Sequence, residues 1–192
     1  MSLLVKVDKT IGGGHKIMTL EKHIIDTMKE WQIKIGSFDT NIRLYYPKTS
    51  LCRYLNLSMD IDNELLIKKI EQYFADHISY LGNVTISAKE DRFCIEVGEK
   101  GCAYVEKKVQ EPEFLTKFLV VLKSQKMQNI LEYFEEYAKE HETCVCTKEE
   151  ESGLETVVYF EDESIEPYVY CIDENEFGIT YHRFTKEEYM DL

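Results

Sequence analysis

At 192 residues the chain suits one domain or two small ones, and 44% hydrophobic side chains with 12% aromatics can build a packed core, which excludes wholesale disorder. Lys and Arg number 23 against 36 Asp and Glu, a formal net charge of −13, and that sign argues against a nucleic-acid backbone or an anionic membrane surface as the main partner. No run nears the ~18 apolar residues of a membrane span, Met1 to Lys16 is too polar and glycine-rich for a secretory signal, and the six cysteines read as free thiols, so a cytoplasmic location is predicted.

In chain order, Gly12-Gly13-Gly14 come first. The run continues His15-Lys16-Ile17 and lacks the Gly-Lys-Ser/Thr ending of a phosphate-binding loop. Glycine codons begin GG, and three in a row shortly before a methionine match a ribosome-binding site read as protein. Residues 1–17 are therefore predicted to be a non-native or upstream extension, with Met18 as the start. Leu20, Ile24, Met28, Trp31 and Ile35 then recur at helical spacing, with Thr19 as N-cap and Gly36 as stop. A short strand over Asn41 to Tyr46 leads through Pro47 to a short helix around Ser50 to Leu55. A long third helix starts near Asp60 or Asp62 and runs to Leu81 before Gly82, with Leu66, Ile70, Phe74, Ile78 and Leu81 on one face. Val84 to Ala88 and Phe93 to Val97 alternate about a Glu90-Asp91 turn, and Cys102 to Lys107 reads as a third strand.

The order helix, strand, short helix, long helix, hairpin is similar to a winged-helix module, in which a helix-turn-helix carries a β wing. The residues behind that likeness are the helix around Thr49 to Leu55, the turn Asn56-Leu57-Ser58, the helix from Asp62 and the wing Val84 to Val97. As a nucleic-acid reader such a unit would use Lys68, Lys69, Lys89, Arg92, Lys107 and Lys108. Its long helix, however, opens with Asp60, Asp62 and Glu64.

Pro112 opens a helix to about Lys123, and a second runs from Lys126 to His141; the short connector implies a helical hairpin or a kinked helix. Beyond His141 the period becomes two: Cys144 to Cys146, Leu154 to Phe160, Tyr168 to Ile172 and Phe177 to Phe184 form a four-stranded antiparallel meander. The predicted fold is α+β. Residues 18–110 make the winged-helix-like unit, and 111–192 the helical hairpin with an acidic sheet, able to pack as one domain with the first.

The charge is unevenly placed. Residues 1–130 carry 19 basic and 17 acidic side chains, whereas 131–192 carry 4 and 19. Two readings stand: a solvated surface that promotes solubility, or a docking face for a basic protein. On the second, Glu135, Glu136, Tyr137, Tyr159, Glu161, Tyr168 and Tyr170 supply charge and aromatic anchors. A metal reading rests on Cys144, Cys146, Cys171 and His182, with His141 nearby. Cys-x-Cys puts both thiols on one face of a strand, but the paired knuckles of structural zinc sites are missing and buried core thiols are the simpler account. Asp173-x-Asn175 with Gly178 follows a calcium loop until Phe177 and Phe184 occupy positions that need oxygen. There is no nucleophile elbow, His23, His77 and His182 are unaccompanied, and no motif calls for a cofactor.

The stretch Asn41-Ile42-Arg43-Leu44-Tyr45-Tyr46-Pro47, then Ser50-Leu51 and the long helix, resembles an uncharacterised bacterial family of unknown function associated with anaerobic gut bacteria, from about Leu20 through the last helix. The resemblance implies no activity, cofactor or catalytic residue. The sequence thus predicts a non-catalytic module binding another protein of basic character through its acidic C-terminal third. A nucleic-acid regulator is the alternative, and a small enzyme without a local motif the third reading.

Overall fold

Thr19 and Gly36 bracket the first helix as their chemistry dictates. The Thr19 hydroxyl accepts a hydrogen bond from Lys22 N (3.2 Å), and Gly36, at φ 67°, closes its N–H on Gln32 O at 2.9 Å. The computed structural model describes residues 19–36, 41–149 and 155–190; the glycine run and the predicted start at Met18 lie outside the described residues. Within α1 (Leu20–Ile35), Leu20, Ile24 and Met28 are buried as the spacing predicts. Trp31 and Ile35 are not: they stay 45% and 60% exposed, while Lys29, Glu30 and Gln32 go inside. The reason is that α1 packs on two sides. Gln32 Nε2 donates to Cys102 O at 2.8 Å, and Glu30 meets the C-terminal sheet.

Strand β1 (Ile42–Pro47) leads into α2 (Lys48–Tyr54), and α3 (Asn63–His77) follows, capped by the Asp62 carboxylate accepting from Glu64 N and Leu65 N. Leu66, Ile70 and Phe74 are its buried stripe; a single 3-10 turn at Ser79–Leu81 ends the run. The hairpin of β2 (Val84–Lys89) and β3 (Arg92–Val97) forms about Glu90-Asp91, with Lys89 opposite Arg92. β1 pairs antiparallel with the other side of β3, giving the order β1-β3-β2.

The third pass expected over Cys102 to Lys107 is instead a helix, α4 (Glu99–Lys108). Glu99 lies at its positive end and Lys107-Lys108 at its negative end, and Cys102 and Val105 are buried one turn apart. Gly101 allows the close approach this needs: a Cβ there would lie 2.4 Å from Val97 Cγ1 and 2.7 Å from Leu81 O.

α5 (Glu113–Leu122) and α6 (Met127–Glu140) form the predicted hairpin. Gln125, in the connector, ties it to the sheet, its Oε1 accepting from Ile179 N at 2.5 Å and its Nε2 donating to Ile179 O at 3.2 Å. β4 (Val145–Glu149), β5 (Glu155–Phe160), β6 (Tyr168–Asn175) and β7 (Gly178–Thr185) follow as an antiparallel meander in sequence order. A short helix that the pattern did not reveal, α7 (Lys186–Met190), lies against β6 and β7.

The apolar side chains gather in two main cores. One spans Leu20 to Val105; the other joins Phe114, Phe118 and Phe134 to Val158, Phe160, Tyr170 and Ile172. A smaller cluster of Val157, Val169 and Cys171, packed on by Tyr189 of α7, covers the opposite face of the second sheet. No helix among the described residues is long and apolar enough to cross a membrane.

Candidate functional site

Alternation along β7 groups Ile179, Tyr181, Arg183 and Thr185 on one face, the face where Ile179 and Tyr181 join the second core. A guanidinium in that set needs a buried counter-charge. α1 supplies it. Arg183 Nη2 lies 2.5 Å from Glu30 Oε2, and the guanidinium covers the Tyr168 ring at 4.1 Å. Glu30 Oε1 also takes Lys34 Nζ at 2.8 Å and the Tyr181 hydroxyl at 2.6 Å. Burial alone would raise the Glu30 carboxyl; Arg183 and Lys34 outweigh it and hold the group below the usual range.

One turn earlier on α1, Asp26 accepts the Tyr168 hydroxyl at 2.8 Å and pairs with Lys22. Glu166, buried in the β5–β6 connection, accepts the Tyr170 hydroxyl at 3.2 Å. Its burial, with help from Asp26, outweighs Arg183 and Tyr170 and pushes the carboxyl up to about 7. This side chain therefore exchanges a proton near neutral pH.

Beside these groups opens a cleft of about 610 Å³, walled by the start of α1, the 161–168 connection and the β7–α7 junction. Asp26, Glu161, Asp162, Glu163, Glu166 and Glu187 line it against three cations, Lys22, Arg183 and Lys186. Each cation already has an acidic partner: Lys22 has Asp26, Arg183 has Glu30, and Lys186 has Glu163 at 2.8 Å. The cleft lining thus carries more acidic than basic side chains.

Of the side chains the sequence nominated for protein binding, Glu161 and Tyr168 line this cleft. Glu135 and Glu136 are exposed on α6. Tyr137, Tyr168 and Tyr170 are buried, because Tyr168 and Tyr170 lie on the face of β6 that joins the second core and Tyr137 enters that core from α6; they are core rings and not displayed anchors. Tyr159 is half-buried on the outer face. Of the basic set, Lys68 and Lys69 are exposed on α3, Lys89 and Arg92 at the hairpin tip, and Lys107 and Lys108 at the end of α4. Cys171 is buried opposite His182 in register, Cys146 is half-buried on β4, and Cys144 is exposed. His141 Nδ1 lies 2.9 Å from Tyr137 O at the end of α6. Among the described residues, no group of three or more His, Cys, Asp or Glu side chains could hold a metal ion.

Sequence reasoning missed Asp26, Glu30, Glu166 and Arg183. One signal was present: Arg183 shares the inward set of β7, and a charge in such a set demands a partner. Glu166, in a turn before Pro167, gave none.

A mixed α+β chain, with two cores meeting along α1 and an acidic cleft at their seam, is what fold and site define. The family described as "Domain of unknown function, E. rectale Gene description (DUF3877)" matches residues 17–192, and the chain belongs to it. This agrees with the bacterial family that the β1 segment and the long helix resemble. No curated protein and no solved structure matches the chain.

Proposed function

We propose that the chain is a non-catalytic protein-binding module whose acidic cleft takes a basic segment of its partner. The observation that carries this reading is the pairing within the cleft: all three lining cations are engaged by acids of the protein, and Glu161 and Glu187 remain exposed at its wall. A volume of about 610 Å³ accommodates a lysine or arginine side chain with flanking backbone, and the surrounding negative field speeds encounter with a basic chain. Calorimetric titration of the full chain with a short Lys/Arg-rich peptide tests it. Binding should weaken as salt rises and fall about tenfold in Glu161→Gln/Glu187→Gln. A neutral peptide that binds as well, or a double variant that binds unchanged, rejects the reading.

A second reading, a winged-helix nucleic-acid regulator, draws support from the element order, from the sheet order β1-β3-β2, and from Lys89 facing Arg92 at an exposed hairpin tip. Duplex DNA binding at low salt that weakens in Lys89→Ala/Arg92→Ala supports it; no binding at low salt removes it.

A further inference from the structure

A second cleft, of about 440 Å³, lies between α1, β1 and α2 on one side and β7 with the start of α7 on the other. It shares only Tyr168 and Arg183 with the acidic cleft, and its chemistry differs. We propose that it binds a planar anion of the mononucleotide class, an aromatic base carrying a phosphate.

Two exposed rings line it. Trp31, placed on the apolar stripe of α1 by spacing, finds no core to enter and stays 45% exposed, and Tyr45 on β1 is 65% exposed. Large rings left at the wall of a cleft are stacking surfaces for a base. Arg43, two residues before Tyr45 and therefore on the same face of β1, also lines the cleft. Its Nε donates to Glu96 at 2.6 Å, which fixes the guanidinium and leaves its two Nη groups without a partner among the described residues. Those groups are the donors a phosphate takes.

Arg43, Arg53 and Arg183 face Glu30 and Glu188 across the lining. Both carboxylates are already engaged inside the protein, Glu30 by Arg183 and Lys34, Glu188 by the Tyr54 hydroxyl (3.3 Å) and Thr185 N (3.1 Å). Arg43 and Arg183 have acidic partners of their own in Glu96 and Glu30, so what the lining offers an anion is the open Nη edge of Arg43.

An independent observation comes from His23, which lines the same cleft. The residue is 8% exposed, and its Nδ1 is buried with no hydrogen-bond partner among the described residues. The ring is held by stacking on Tyr54 (centroids 5.3 Å apart) and by an edge contact with Tyr46 (5.5 Å). A polar atom left without a partner is unfavourable in the free protein, and a base edge or a ribose hydroxyl that reaches it on binding would supply the missing bond. Burial keeps the ring neutral against the pull of Glu188, so it offers one donor and one acceptor.

Trp31 is the sole tryptophan of the chain, so its fluorescence reports this cleft alone. The full chain is titrated with AMP, with adenosine and with inorganic phosphate. A saturable change in Trp31 emission with AMP is expected, with adenosine and phosphate each at least about tenfold weaker. Arg43→Ala, a change at an exposed strand position, should weaken AMP about tenfold while leaving the melting temperature in place. Glu161→Gln/Glu187→Gln, outside this cleft, should bind AMP as the parent does. No saturable change up to about 1 mM AMP, adenosine binding as tightly as AMP, or Arg43→Ala binding unchanged overturns the proposal. None of these results bears on the peptide titration.

Discussion

Glu166 shows how burial sets the behaviour of one side chain. Its carboxyl titrates near 4.5 in the unfolded chain and near 7 in the folded one, because desolvation outweighs Arg183 and the Tyr170 hydroxyl. Between those values the folded protein holds a proton that the unfolded chain has lost, so this group makes stability fall as pH rises from about 4.5 to about 7, with no further loss above. The raised pKa corresponds to a cost on the order of 3 kcal/mol once Glu166 is ionised. Glu166→Gln is expected to match the parent near pH 4 and exceed its stability near pH 8 by an amount of that order, read from urea midpoints at the two pH values. Equal stability of the two proteins at both pH values would contradict the assignment. His23 and Trp31 carry a related lesson. Sequence spacing marks Trp31 as core and His23 as unaccompanied, yet the structure exposes the first and buries the second, since the seam that decides both is made by distant strands.

At the scale of elements, the helices and strands with strong periodicity are legible from the sequence: α1, α3, the β2–β3 hairpin, the α5–α6 pair and the final meander all form near their expected bounds. Caps explain this, since Thr19, Asp62 and Gly36 act through bonds to their own neighbours. α4 reads as a strand over Cys102 to Lys107 because so short a stretch with Cys102, Tyr104 and Val105 fits a strand or a helix alike, and the third place in the first sheet goes to β1, more than fifty residues upstream. Gly101 makes the α4 contact testable. Gly101→Ala would ordinarily favour a helix, but here the new Cβ meets a backbone carbonyl at 2.7 Å that cannot move aside as a side chain would. A loss of about 1–3 kcal/mol is expected from overpacking, seen as a lower melting temperature; a gain in stability would show that Leu81 and Val97 yield.

For the whole molecule, α1 is the joint. Its apolar face completes the first core while Asp26, Glu30 and Lys34 meet Tyr168, Arg183 and Tyr181 of the sheet more than 130 residues away. Arg183 is 5% and Glu30 11% exposed, so removing Arg183 takes away the partner of Glu30 Oε2 and leaves only Lys34 and Tyr181 on Oε1. Arg183→Ala should therefore cost about 3–5 kcal/mol in chemical denaturation, and Glu30→Met/Arg183→Met should recover most of the loss. A single variant no worse than the double would mean that the pair is not held dry.

The sequence by itself determined most of the elements, α4 and α7 excepted, the α+β class, the meander and the gathering of acid in the last third, because caps, turns and periodicity act within a few residues. Only the tertiary structure decided which tyrosines are core, that polar residues of α1 are buried, and that Arg183 lies on the wall shared by two clefts. Those outcomes depend on charges and rings paired across the seam, where the cost of desolvation is set by neighbours that no local pattern names.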